Sequence, residues 1–193
     1  MTSQSLLESL NPKGHLEIIK RYKDGTEETV LDDHNIITVG MGITLASMFS
    51  TTETSAAATD FSIAYFQIGE ASALMASSLT RLGNPLESAQ YGDSSLTVSS
   101  IRLGGAGATP QDVAYLNSTY ISKVGDDSST KVTYTLNLEE SACNGIDINE
   151  CGLWSKNPLR EDEPAAYLCA YRSFTAIGKT DSFALIFKWT LEF

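Results

Sequence analysis

Basic residues are scarce: 13 Lys plus Arg stand against 24 Asp plus Glu in 193 residues, a formal charge of -11. That balance excludes an ordinary nucleic-acid binder, because phosphate contacts need clustered cations. Charge of either sign is thin, at 19% of residues, so 23 Ser and 19 Thr supply most of the polarity. Long apolar runs are missing as well. None approaches the ~20 residues a membrane helix needs, and Met1 to Leu10 lacks the basic-then-apolar order of a secretory leader. Cysteine is limited to Cys143, Cys151 and Cys169. An odd, sparse set predicts reduced thiols made in a cytoplasm, not a disulfide scaffold. What is present, 42% hydrophobic residues on a chain near the upper single-domain length, is enough for a sizeable core.

Three stretches follow from the turn and periodicity signals. Residues 1–13 read as an arm: a weakly apolar start, then the linker signal Asn11-Pro12. Residues 14–34 read as a β-hairpin turning at Lys23-Asp24-Gly25-Thr26, because Asp-Gly is favoured hairpin chemistry. Its charged, β-branched arms suggest an exposed, two-stranded projection. Residues 35–193 read as a β-sandwich domain holding one buried α-helix, Asn35 to Ser50, capped by Asn35 and apolar on nearly every turn. Gly40 and Gly42 weaken that helix yet permit close packing on a sheet. Strands are expected over Phe61–Gly69, Ser95–Ile101, Lys131–Leu138, Ile146–Trp154, Ala166–Ser173 and Phe183–Phe193. Six strands without βαβ alternation make the fold mainly β, an antiparallel sandwich.

Catalytic chemistry finds little support. His15 and His34 both sit in the hairpin region, and no Gly-x-Ser-x-Gly elbow accompanies them. The cysteines lie in apolar, strand-like contexts that make inert thiols. No closely spaced Cys pair exists for zinc, so neither metal nor cofactor is expected. Cys151 and Cys169, on neighbouring strands, are the easier pair to bridge if oxidation occurs. The acidic pairs Glu139-Glu140 and Asp126-Asp127 would serve a hydrolase only at a set separation in a cleft, and solvated loop edges are the simpler reading. Gly104-Gly105-Ala106-Gly107 lacks the Lys-Ser ending of a phosphate loop. Tyr91, Tyr115 and Tyr120 stand in loop-like surroundings where sugars could stack, which suggests a carbohydrate- or receptor-binding module as the alternative function.

The C-terminal third carries more information. Gly145-Ile146-Asp147-Ile148-Asn149-Glu150-Cys151-Gly152-Leu153-Trp154 resembles the "ingeti-[NS]-E-[IL]-G-L-[FWY]" signature of tailed-bacteriophage structural proteins from the tail fibre and baseplate region. Ala170-Tyr171-Arg172-Ser173-Phe174 and Lys179-Thr180-Asp181-Ser182 resemble the "a-R-a-F … K-t-d" stretch that follows there. Lys188-Trp189-Thr190-Leu191-Glu192-Phe193 is similar to the terminal "W-t-i-t-F" strand. Upstream, Asn35 to Phe49 and Ile63 to Gly69 resemble that family's helix and first strand, in the same order. Two departures are Glu70-Ala71-Ser72, in place of a Gly-Thr turn, and Cys151, in place of Ile or Leu.

This resemblance implies a non-enzymatic virion component of the tail, baseplate, neck or collar, or fibre attachment, made in a bacterial host's cytoplasm. Its partners would be itself, as a homo-oligomer or repeated copies, and other virion proteins, with neither nucleic acid nor membrane. Glu150, Gly152, Leu153, Trp154, Arg172, Phe174 and Trp189 would be its structural motif residues. Glu150 has two open readings: a carboxylate that accepts backbone N–H bonds and pins a neighbouring loop, or a solvent-facing residue on a sheet edge. Leu6, Leu7 and Leu10 of the arm, with Lys20, Arg21 and Lys23 of the hairpin, are the expected assembly contacts.

Overall fold

A computed structural model describes residues 12–49, 61–71, 74–92, 96–103, 109–116, 121–125, 130–156 and 166–193. The strands are β1 (Lys13–Tyr22), β2 (Glu27–His34), β3 (Ile36–Ile37), β4 (Ile63–Gly69), β5 (Val98–Arg102) and β6 (Pro110–Tyr115), followed by β7 (Ile121–Gly125), β8 (Thr130–Leu138), β9 (Asp147–Lys156), β10 (Ala166–Gly178) and β11 (Phe183–Glu192). Helix α1 (Val39–Phe49) and the single turn α2 (Ser88–Tyr91) interrupt them. The first sheet runs β2-β1-β11-β8-β7 and the second β3-β10-β9-β4-β6-β5. Among the described residues every strand pairing is antiparallel. The chain is the expected sandwich.

Alternation explains the first sheet. In β1, Leu16 and Ile18 are buried while His15 and Glu17, alternating with them, are not. This is the pattern of a sheet with one face on the core and one in water. The second sheet is buried on both faces, so β4 and β9 run almost continuously buried. Between the sheets, Phe66 meets Phe187 and Trp189 at ring-centroid distances of 5.4 and 5.8 Å. A second cluster, including Tyr65, Leu82, Val113, Trp154, Leu168 and Tyr171, lies on the far side of the second sheet.

Two expectations need correction. The hairpin forms, with Gly25 at φ +86 in its turn and Asp24 accepting the Thr26 N–H at 2.9 Å, but it does not project. β1 pairs with β11 from Lys13 to Tyr22 and is an interior strand, leaving β2 at the sheet's edge. Helix α1 is shorter than expected and only half covered: Gly40, Met41 and Thr44 are buried, while Val39, Ile43 and Phe49 are exposed. Ile36 and Ile37, expected in the helix, form β3 on the edge of β10. α1 continues along that edge, so closely that a Cβ on Gly40 would collide with the Leu168 carbonyl.

Candidate functional site

The signature residues converge around β9. Glu150 is fully buried, and three donors surround its carboxylate: the amides of Gly83 (3.0 Å) and Asn84 (2.7 Å) and the Tyr171 hydroxyl (2.9 Å). Of the two open readings, the loop clamp is correct. The pinned segment also bonds to the end of β4, where the Glu70 amide donates to the Asn84 carbonyl and the Leu86 amide to that of Ile68, both at 2.9 Å. Gly69 is required there, since a Cβ would sit 2.5 Å from the Asn84 oxygen and 2.6 Å from the Glu150 carboxylate. A Cβ on Gly152 of β9 would instead meet the ends of two side chains, 2.7 Å from Leu168 Cδ1 and 2.9 Å from Leu82 Cδ1, which would have to shift to admit it. Leu153 faces the inter-sheet core and Trp154 the outer cluster.

The other motif residues join separate regions of the fold. Arg172 on β10 donates from Nη1 to the His34 carbonyl and from Nη2 to Asp33, each at 2.6 Å, and so ties the second sheet to the edge strand of the first. The His34 amide and then the Arg172 charge hold the Asp33 carboxyl below its ordinary range. Trp189 is buried, and its indole N–H donates to Asn35 at 2.9 Å. Phe174 packs half-buried against the main core. Lys179 is buried too; its ammonium meets the carbonyls of Thr180 (2.8 Å) and Glu140 (3.3 Å) and the Asn144 side chain (3.4 Å). It holds the turn before β9 by its carbonyls, as Glu150 holds another loop by its amides.

The remaining candidates are dispersed. His15 Nε2 lies 2.5 Å from Asp32, with the His34 ring 5.9 Å away. Cross-strand register sets His34, His15, Thr190, Thr133 and Ser122 in one row over the solvent face of the first sheet, above a hollow of about 560 Å³. Ser122 is three strands from His15, roughly 14 Å at sheet spacing, so the pair cannot form a catalytic hydrogen bond. Thr190, the nearer hydroxyl, is bonded to Thr133 at 2.9 Å. Among the described residues no group of three His, Cys, Asp or Glu could hold a metal ion. None of the three cysteines is in a disulfide, and all are buried. Desolvation raises the Cys151 and Cys169 thiols, the former helped by the charge of Glu150.

Lys20 stands 5.0 Å from the Phe183 ring and Arg21 3.7 Å from Glu139, so both are engaged within the chain, while Lys23 is exposed in the turn. Glu139 is thus paired with a cation rather than facing a second carboxylate across a cleft. Leu6, Leu7, Leu10, Tyr120, Asp126 and Asp127, with residues 104–108, lie outside the described residues. Tyr91, expected on the surface, is in the core, its hydroxyl pushed up by burial. Tyr115 is 38% exposed and packs edge-on against Tyr65. Sequence reasoning gave Tyr171 no role beyond its place in a motif and missed Gly83 and Asn84, whose only signal is a Gly-Asn-Pro turn beside an apolar residue. Comparison with protein-family models, with curated proteins and with solved structures gives no match.

Proposed function

We propose that the chain is a non-enzymatic structural protein of a tailed-phage virion, used in repeated copies at the tail, baseplate, neck or fibre attachment. The resemblance of residues 145–154, 170–182 and 188–193 to such proteins motivates the reading. The observation that carries it is the state of Glu150. It is the acidic group of the signature, and its carboxylate is enclosed and bonded to two loop amides and a phenol. A general acid or base must reach substrate, and this one reaches only its own fold. Arg172 and Trp189 are likewise engaged within the molecule.

An amber codon in the gene tests this. Grown without suppression, the phage should yield particles that lack a tail or neck component, or no particles. Normal, infectious particles would overturn the proposal.

A further inference from the structure

Helix α1 is apolar on both sides: Met41 and Leu45 pack against the core, and further apolar residues face outward. None of its eleven residues is charged, and its buried Thr44 turns inward, donating to the Gly40 carbonyl at 2.9 Å and meeting the Ser155 hydroxyl at 2.6 Å. Apolar side chains turn outward: Val39 is 50% exposed, Ile43 43% and Phe49 87%. Positions 39, 43, 46 and 49 share one helical face, and Ala46 between them is also exposed. A surface helix carries its polar residues on that side. An exposed apolar stripe of this kind marks a contact surface.

The chain itself supplies an occupant of matching chemistry. Pro12 lines a small hollow with Asn35 and Ile37, and Ile37 lies two residues before α1 begins. The residues preceding Pro12 include Leu6, Leu7 and Leu10, spaced one and four apart, with Ser5, Glu8 and Ser9 among them. Such spacing gives one apolar face per helical turn. α1 is about 16 Å long, and the six residues from Pro12 back to Leu6 reach up to about 20 Å when extended, enough to bring the leucines over the first turns of the stripe. A segment anchored this near acts at an effective concentration on the order of millimolar, which favours it over a free competitor.

We propose that Leu6, Leu7 and Leu10 of the same chain dock on the outer face of α1 and cover Val39 and Ile43. The test is the full-length protein carrying Leu7→Cys and Ile43→Cys, treated with a short bismaleimide; the native thiols are buried. The expected product is cross-linked within one chain, migrates as a monomer, and maps to positions 7 and 43. A product joining two chains would give the face to a neighbouring copy and overturn the proposal, as would no product. Independently, Leu6→Ser, Leu7→Ser and Leu10→Ser combined should raise the emission of a hydrophobic dye several-fold with an unchanged circular-dichroism spectrum. Unchanged emission would overturn it equally.

Discussion

Replacing Glu150 by alanine would leave the Gly83 and Asn84 amides and the Tyr171 hydroxyl without their acceptor in a buried place. Each such group costs about 1–3 kcal/mol, so Glu150→Ala should lower stability by roughly 3–5 kcal/mol. Glu150→Gln keeps the shape but turns an amide donor toward other donors, and should fall between. Denaturant midpoints measure both, and amide exchange at Gly83 and Asn84 should accelerate first. The sequence exposed half of this contact. A Glu among apolar residues on a strand invites the question of what it bonds, but its partners lie 66 and 67 residues earlier, where Gly-Asn-Pro reads as any turn. The thiols make a second prediction. Their folded values lie above the usual value near 9, so above pH 9 the unfolded chain releases protons that the folded chain keeps. Stability is therefore whole below about pH 9 and declines as pH rises further. Tyr134, pushed up to about 12 by burial, adds to the decline. A thiol reagent should find no reactive cysteine in the native protein and three after unfolding.

At the scale of elements, α1 offers a matched pair of substitutions. Gly40 touches the Leu168 carbonyl, whereas a Cβ on Gly42 meets nothing within 4 Å. Gly40→Ala should destabilise by about 1–3 kcal/mol through overpacking against backbone. Gly42→Ala should stabilise by up to about 1 kcal/mol through helix propensity alone. Thermal unfolding of both variants decides the matter, and equal effects would contradict the packing of α1 on β10. The long, alternating or apolar strands were legible because burial on one or two faces leaves its period in the residues. β6 and β7 were not: Pro110-Gln111-Asp112 and Ile121-Ser122-Lys123 have weak strand propensity and are ordered by their neighbours β5 and β8. The hairpin was legible as a hairpin. Its charges suggested a projection because one solvent face of an interior strand looks, residue by residue, like an exposed one.

For the whole molecule, Arg172 is a tie between sheets. Arg172→Met removes two hydrogen bonds to the β2 corner and should lower the denaturant midpoint modestly, because the pair is partly exposed to solvent. Asp33 has its folded value depressed, so its share of stability is present above about pH 4 and is lost as pH falls through the lower, folded value. Asp33→Asn should flatten that portion of the acid-unfolding profile. The free edge of β2 carries Glu27, Glu28, Asp32 and Asp33, and these charges oppose pairing with the same edge of another copy. Whether the protein is a building block at all is the central claim, and counting it in particles tests that most directly. Purified phage particles, digested and quantified by mass spectrometry against labelled peptides of this chain, should contain several copies each. Particles free of the chain, from a lysate in which it is abundant, would contradict the account.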